Sequence, residues 1–519
     1  ETINGFRLSP QQKRLWLLQQ ESSIYVAQAA ILLEGNLNKE ALKTALHQVV
    51  CRHEILRTSF RKISGIKMPI MVVEDSCIFS WQEINLSNCD TEAVAIELTC
   101  QDERRKPLNL EQAPLLRASL LHLSVTKHIL VITLPALCAD SETLKNLFWE
   151  ISEFYGNGSD KEVVQYAHFS EWQNQLLIEI EAETFKDYWC QQDFSSLSQL
   201  QLPFQEKGNQ AGFQPETWEM QIDDHITNNL KTWLQKTGFS LDEFWFSCWQ
   251  ILLWQLTKQS QIILGYICNG REYEELQNTL GLIAKYLPIS NRLTPDLSFQ
   301  EVIEQVRQDT QNAYEWQEYF VSEQIDSLSR GLPILLEFIN LPEKRYLNNL
   351  SFSVYKQYSC IDKFNIKLSG FIKDGFVNLI VDYDTNQFTS AAIALLAEQF
   401  QTLVASAIAN PNLTISSLKI LSSNQLQQLL IDFNQTQSDY PQDKCIHQLF
   451  TEQAVKTPDN IAVVFENEQI SYRKLNNQAN QLANYLTQLG VKPDVLVGVC
   501  LERSHLSIIA ILAILKAGG

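Results

Sequence analysis

The stretch His128–Ile151, HILVITLPALCADSETLKNLFWEI, joins a predicted strand to a predicted helix through a short turn. Its first part, HILVITL, is rich in aliphatic and β-branched residues and predicts a buried strand. Its last part has apolar residues at i, i+3, i+4 and i+7 from Leu144, which predicts an amphipathic helix. The turn Leu134–Ser141, LPALCADS, ends in Asp-Ser but contains no obvious general base. The stretch therefore predicts an α/β fold with a functional group, or the remains of one, at this junction.

The flanking sequence repeats this mixed texture in two halves. Apolar runs predict further strands in AQAAILLEG, LLRASLLHL, QIILGYICNG, LPILLEFINL and VNLIVDYD. Helical patterns follow Ser9 and recur in NKEALKTALHQVVCRHE, SLDEFWFSCWQILLWQLT and TSAAIALLAEQFQTLVASAIANP. The simplest division places one α/β half in residues 1–175 and a second in residues 176–420.

The last hundred residues have a different organisation. Residues 421–446 are polar and rich in Gln, Asn and Ser, which is typical of a linker. Residues 447–519 then predict strand, helix, strand and helix, the start of a parallel α/β domain. That start, together with the first residue Glu1, suggests a piece of a longer chain.

Composition excludes several classes of function. A net charge of -19 disfavours a nucleic-acid partner or an anionic membrane surface, because phosphate is not attracted. Eleven cysteines without a CxxC pair favour reduced thiols, a cytoplasmic location and no zinc domain. No metal is expected, since metal-ligand spacing is not evident around His47, His122, His128, His225, His447 or His505.

Several motifs together resemble nonribosomal peptide synthetases. The stretches SPQQKRLWLL (9–18), RHEILRTSF (52–60), YAHFSEWQ (166–173) and NGREYEELQNTLGLIAKYLPI (269–289) are similar, in order and spacing, to condensation-domain motifs. The stretches ISYRKLNNQANQLA (470–483) and LKAGG (515–519) resemble the opening of an adenylation domain. The resemblance covers essentially the whole chain.

The resemblance implies a fold and partners. Two chloramphenicol-acetyltransferase-like lobes are expected to form a V-shaped pseudo-dimer, followed by a short partial α/β adenylation subdomain. The family holds its active site in a tunnel between the lobes. Partner carrier proteins deliver phosphopantetheine arms there, so this chain is expected to bind no cofactor itself and to act with the rest of a synthetase, including the remainder of the adenylation domain.

The family motif His-His-x-x-x-Asp-Gly is altered in this chain. Aligned on Asp140, Pro135 and Ala136 occupy the two His positions and Ser141 occupies the Gly position. The second His orients the reactants or accepts a proton in the family, and Ala136 can do neither. The resemblance therefore implies a preserved scaffold without the catalytic imidazole.

A second departure lies further along the chain. The Arg that pairs with the motif Asp in the family is replaced by Ser290, and Arg292 is on the same side of the predicted strand as a substitute. Lys285 and Tyr286 stand where the family has Asn and Thr. These two side chains, with Ala136 and Cys138, are expected to line the tunnel.

Other residues carry weaker alternatives. Cys138 is a candidate nucleophile and His168 a candidate replacement for the imidazole, although a buried thiol and a surface histidine are the simpler interpretations. Asp140 is expected to cap the following helix or to pair with an arginine, and Ser141 to cap the helix or to bind a thioester carbonyl. Structural roles are expected for Arg52, His53 and Arg57.

Three functions follow from these residues. The first is a non-catalytic interface domain that docks a carrier protein and recruits a trans-acting tailoring enzyme, such as an oxygenase of the hydroxylase type. The second is an active condensation domain that forms an amide or ester without the His, since positioning of tethered substrates lowers the barrier by itself. The third is an inactive spacer between modules. Whether this chain is itself an enzyme is left open, with a non-enzymatic role favoured.

Overall fold

Two six-stranded sheets and one three-stranded sheet form the first part of the chain. The structure, a computed structural model, describes residues 5–19, 24–65, 67–89, 91–156, 158, 162–179, 188–206, 212–328, 331–347 and 349–519. The strands are β1 Phe6–Arg7, β2 Val26–Gly35, β3 Thr58–Arg61, β4 Ile70–Val73, β5 Ser80–Asn85, β6 Arg117–His122, β7 Lys127–Pro135, β8 Pro215–Gln221, β9 Gln261–Cys268, β10 Lys285–Arg292, β11 Ile334–Ile339, β12 Arg345–Leu347, β13 Leu350–Ser359, β14 Ile366–Lys373, β15 Phe376–Asp384, β16 Ile461–Phe465 and β17 Glu468–Ser471.

Helices separate some of these strands, whereas among the described residues β3–β5 and β11–β15 follow one another without an intervening α-helix. The helices are α1 Pro10–Gln19, α2 Lys39–Arg52, α3 Glu92–Arg105, α4 Ser141–Gly156, α5 Tyr166–Glu179, α6 Asp224–Thr237, α7 Leu241–Thr257, α8 Phe299–Glu315, α9 Ser390–Ala409, α10 Ser423–Leu430, α11 Ile446–Lys456, α12 Tyr472–Gln488 and α13 His505–Ala517. The strand and helix predicted on either side of the turn 134–141 are β7 and α4.

The first sheet has the order β12-β13-β2-β7-β6-β5, in which only the β5–β6 pair is parallel. Strand β7 is apolar from Ile129 to Ile132, where both of its faces are covered. Ile129 and Val131 pack in a small core with Ile96 of α3, whereas Leu130 and Ile132 face the main core. A continuous apolar run is therefore what this central position requires.

The second sheet has the order β10-β9-β11-β14-β15-β8, with β11 parallel to both β9 and β14. Helix α7 lies against it and is buried along most of its length, which explains why its sequence lacks a polar face. A capping box begins the helix: Ser240 Oγ accepts from the Glu243 amide, and the Glu243 carboxylate accepts from the Ser240 amide at 2.8 Å.

The two predicted halves are not separate along the chain. Strand β13 pairs with β2 in antiparallel register, so the first sheet takes two strands from beyond residue 340. Helix α5 spans the predicted division at residue 175. β2 pairs with β7 on one side, and β13 pairs with its other edge. Residues from both sides of position 175 therefore contribute strands to the first sheet.

The compact unit Glu1–Gln425 is followed by a second unit, Leu426–Gly519. The unit boundary falls in the predicted linker, where helix α10 is formed. In the second unit, β16 and β17 pair antiparallel across a turn in which Glu466 has a φ of +53°. The parallel pairing expected for residues 447–519 is therefore not present among the described residues, and the apolar stretch 495–500 between α12 and α13 belongs to no sheet.

Within the described residues, α9 alone has the length and apolar composition needed to cross a membrane. Its residues Ile393, Leu396 and Phe400 are buried in the main core beside α7. These contacts are those of a core helix.

Candidate functional site

The turn between β7 and α4 is completely enclosed. Ala136–Cys138 form one turn of 3-10 helix, and no side chain from Ala136 to Ala139 has any exposed surface. The Ala136 amide donates to the Tyr25 carbonyl at 3.0 Å, and Gln12 Nε2 donates to the Leu137 carbonyl at 2.9 Å. The turn is thus packed as core rather than presented to solvent.

Asp140 follows the turn and makes six hydrogen bonds while fully buried. Its Oδ1 accepts from the Thr143 amide and hydroxyl, each at 2.8 Å, and from Arg271 Nη2 at 3.0 Å. Its Oδ2 accepts from Arg271 Nη1 at 3.0 Å and from the amides of Ile283 (3.0 Å) and Ala284 (2.9 Å). The bidentate pair with Arg271 joins α4 to the second sheet.

This environment keeps Asp140 ionised. Burial raises the pKa of Asp140, but the charge and hydrogen bonds of Arg271 and the amide donors outweigh it and hold the pKa below its ordinary value. A carboxylate whose pKa is lowered and whose oxygens accept six hydrogen bonds positions the backbone and is not suited to proton transfer near neutral pH. The sequence expectation of a cap and an arginine partner agrees with both contacts.

The prediction that Arg292 pairs with Asp140 is wrong. Arg271, just after β9, fills both carboxylate oxygens of Asp140, whereas Arg292 is exposed at the end of β10. In the family pattern the arginine that pairs with the motif Asp belongs to the strand at residues 285–292, whereas Arg271 lies in the segment after β9.

Gly281 allows the second sheet to approach this carboxylate. Its φ is +138°, and a Cβ built on it would lie 2.0 Å from Cδ2 of Tyr166. The Tyr166 hydroxyl donates to the Leu282 carbonyl at 2.7 Å and lies 2.8 Å from Ser9 Oγ. Only glycine fits a backbone so conformed and so close to a ring.

Ser141 belongs to a buried ion cluster, defined here as Ser141, Glu337, Lys367 and Asp382. The Ser141 hydroxyl donates to the Glu337 carboxylate. Lys367 Nζ lies 3.5 Å from Glu337 and 3.1 Å from Asp382. Burial lowers the pKa of Lys367, but the two carboxylates outweigh it and raise the pKa above its ordinary value. The helix cap expected of Ser141 is supplied by Asp140, which leaves Ser141 to bind Glu337.

Lys285 and Tyr286 line a different space from Ala136 and Cys138. They border a cavity of about 50 Å³ with Arg14 and Asp362, which pair at 2.8 Å. Lys285 Nζ donates to the Gln317 carbonyl at 2.6 Å. Of the four predicted tunnel residues, the structure places two at this cavity and two in the closed turn.

The candidate nucleophile Cys138 and the candidate imidazole His168 do not meet at this site. Burial raises the pKa of the Cys138 thiol, so it remains protonated and unreactive. His168 is exposed on α5, whereas Ala136 and Asp140 are fully buried.

Arg52 and His53 contact one carboxylate at the back of the turn. Their Nε and Nε2 atoms lie 3.7 Å and 3.3 Å from Glu150 Oε2 of α4. Arg57 Nη1 donates to the Glu74 carbonyl at 2.6 Å. These contacts tie the end of α2 to α4 and β4.

Comparison with known proteins identifies the family. The family model described as "Condensation domain" matches residues 4–430, and "AMP-binding enzyme" matches residues 450–519. The chain belongs to the condensation-domain family. A partial AMP-binding domain follows it, and Bacitracin synthase 1 of Bacillus licheniformis is 30% identical over 98% of this chain. The chain spans 10% of that synthetase's length.

Solved structures agree on the fold. A four-domain nonribosomal peptide synthetase, holo-AB3403 bound to AMP and glycine, superposes with a TM-score of 0.79 at 17% identity, covering all of this chain and 41% of its own. The X-domain of teicoplanin biosynthesis, solved in complex with OxyB, superposes with a TM-score of 0.64 at 18% identity, covering 82% of this chain and 97% of its own. The expected mixed α/β condensation fold is confirmed.

Sequence reasoning did not single out the second half of this condensation domain's buried centre. Arg271, Gly281 and the amides of Ile283 and Ala284 complete the Asp140 site from more than 130 residues away. The available signal was the segment NGREYEELQNTLG itself, in which a lone arginine follows an apolar strand. This site can bind the two sheets together, but its described side chains provide no proton acceptor directed at a substrate.

Proposed function

We propose that this condensation domain does not catalyse condensation and serves as an interface domain within a nonribosomal peptide synthetase. One observation carries the proposal: Pro135 and Ala136 replace the two motif histidines in a turn without solvent exposure. Amide formation by the family's route needs an imidazole beside the amine. Cys138 and His168 do not supply one, for the reasons of burial and position given above.

The small size of the cavity at Lys285 and Tyr286 supports the same proposal. The cavity bordered by Lys285 and Tyr286 is about 50 Å³, room for a few water molecules and far below the roughly 300 Å³ of an ordinary small-molecule pocket. The Arg14–Asp362 pair lines this cavity with charges that are already paired.

Partners follow from the family. Synthetases of this kind carry their intermediates on phosphopantetheine arms of carrier domains, so a carrier is the first expected partner of the outer surface. A domain of the same fold, the X-domain, occurs in a complex with OxyB. By analogy we propose that this domain recruits a trans-acting tailoring enzyme, of the hydroxylase type, to a carrier-bound substrate. Such assembly is expected in the cytoplasm.

The test is a condensation assay with donor and acceptor carrier proteins, each loaded with an aminoacyl thioester. Intact-protein mass spectrometry follows acyl transfer, and biolayer interferometry follows carrier binding. Ala136→His tests the missing imidazole, and Cys138→Ala tests the buried thiol.

Each outcome is informative. No transfer with retained carrier binding is expected. Transfer by the unmodified chain would establish an active condensation domain and overturn the proposal, and loss of that transfer in Cys138→Ala would assign it to the thiol. Absence of both transfer and binding would establish a spacer. Recruitment is then tested by gel filtration of the loaded carrier complex with a candidate hydroxylase, where failure to comigrate would refute that part alone.

A further inference from the structure

Three potential metal ligands meet away from the buried turn. His47 and Cys51 lie one helical turn apart on α2, and Cys77 lies in the loop between β4 and β5. Cys51 Sγ is 3.7 Å from His47 Nδ1, and the three ligand atoms all lie within 4.8 Å of one another. No other contact described above uses these side chains.

The spacing suits a tetrahedral ion. Zinc–sulfur bonds of about 2.3 Å and zinc–nitrogen bonds of about 2.0 Å place neighbouring ligand atoms roughly 3.5–3.8 Å apart. The observed pair at 3.7 Å is already at that separation. The remaining pairs of ligand atoms lie within 4.8 Å, so the three side chains are close enough to share one ion after they rotate towards it.

Donor chemistry selects the class of ion. One imidazole and two thiolates favour Zn²⁺ over Mg²⁺ or Ca²⁺, which prefer oxygen ligands. Two thiolates also neutralise the ion's double charge, so an occupied site adds no net charge to this part of the protein. His47 is exposed, which leaves a fourth position for water.

We propose that His47, Cys51 and Cys77 form a Zn²⁺ site that ties the end of α2 to the β4–β5 loop. On binding, the two thiols release their protons to solvent and the neutral imidazole contributes its lone pair. The site does not depend on whether the domain catalyses condensation. Sequence spacing did not reveal it, because Cys77 belongs to a separate element.

The first test uses the unmodified 519-residue chain, reduced and freed of metal with a chelator. Bound Zn²⁺ is measured by mass spectrometry of the metal, and alkylation of each cysteine is followed by peptide mapping. With Zn²⁺ at ten times its dissociation constant, alkylation of Cys51 and Cys77 is expected to slow about tenfold. The exposed Cys190 is the internal reference and should react at an unchanged rate.

The second test uses variants and Co²⁺ as a spectroscopic probe. Cys51→Ser and Cys77→Ser should each weaken Co²⁺ binding and reduce the thiolate-to-cobalt charge-transfer absorption per bound ion to about half, the double variant should abolish it, and His47→Gln should weaken Co²⁺ binding. Cys190→Ser is the matched control and should keep the spectrum. Equal protection of all exposed cysteines, or loss of the spectrum in the control, would overturn the proposal. A Cys51–Cys77 disulfide formed in air, with no zinc protection of the reduced pair, would overturn it in favour of redox chemistry.

Discussion

Replacing Asp140 by asparagine tests whether the buried carboxylate holds the two sheets together. The substitution is isosteric, so it creates no cavity and changes only charge and hydrogen bonding. In the native protein Asp140 Oδ2 accepts from Arg271 and from the amides of Ile283 and Ala284. If the Asn amide nitrogen takes the position of Oδ2, it faces these three donors. If it takes the position of Oδ1 instead, it faces the Thr143 amide and hydroxyl and Arg271 Nη2.

The expected loss of stability is large. Arg271 would be left without its counter-charge while its side chain remains only 2% exposed. Removing one partner of a buried ion pair costs about 3–5 kcal/mol, and an unsatisfied buried donor costs about 1–3 kcal/mol. These contributions overlap, so we expect Asp140→Asn to lower the free energy of unfolding by about 3–5 kcal/mol at neutral pH.

The assay is urea unfolding followed by tryptophan fluorescence. All 11 tryptophans precede residue 426, so the signal reports only on the first unit. Arg271→Met and the double variant Asp140→Asn/Arg271→Met complete a double-mutant cycle. The double variant should be more stable than the sum of the single losses predicts, because neither charge is then left alone. A loss below about 1 kcal/mol in Asp140→Asn, or additive losses in the cycle, would refute the reasoning.

Acid should act on the same group. Because the folded-state pKa of Asp140 is depressed, its contribution to stability is fully present above the unfolded value of about 3.9 and is lost as pH falls through the folded pKa. The difference in stability between the native chain and Asp140→Asn should therefore be constant near neutral pH and shrink only in strong acid. A difference that shrinks already near pH 6 would contradict this assignment.

Three further outcomes are expected. Burial lowers the pKa of His128, and so does His122, whose Nδ1 lies 3.0 Å from His128 Nδ1. Because the folded protein resists protonation of His128, the melting temperature should fall as pH drops below about 6.5. His128→Asn should flatten this pH dependence, and an unchanged pH profile in that variant would exclude His128 as its source. Gly281→Ala should lower stability by more than about 2 kcal/mol in the urea assay, because its Cβ meets the Tyr166 ring; near-neutral stability would mean that the backbone can shift. Cys138 should resist alkylation in the native chain and react only on unfolding, and rapid native labelling would show that the turn opens.

Local patterns predicted much of the fold because local physics determines it. The strand and helix around the turn 134–141 follow from apolar periodicity, and α7 follows from its length and its Ser240 cap. Strand β13 was not predicted from the sequence. Its pairing with β2 bridges more than 300 residues and depends on which sheet edge is free. The prediction of a second strand in residues 447–519 was wrong because an apolar segment forms a strand only when a partner strand lies beside it, and residues 495–500 have none among the described residues.

The site shows the same limit more sharply. It was predictable that Asp140 would cap α4 or pair with an arginine, because an Asp directly before an amphipathic helix commonly accepts hydrogen bonds from the amides of its first turn. Its partner was not predictable from spacing: Arg271 and Arg292 both follow or end apolar strands, and only the path of the chain after β9 decides between them. The role of Ser141 also required the fold, since Glu337 comes from the other sheet.

The geometry separates two tasks that one motif performs in the family. All hydrogen bonds to the Asp140 carboxylate come from Thr143, Arg271 and the amides of Ile283 and Ala284, which all follow it in the chain. The connection between the sheets therefore does not depend on the side chain at position 136. Ala136 is apolar and fully enclosed, which costs the fold nothing, whereas an imidazole there would have to find a buried hydrogen-bond partner or lose about 1–3 kcal/mol. Selection for a stable platform can therefore retain the Asp and discard the His. That is the physical basis for expecting docking to outlast catalysis in this domain.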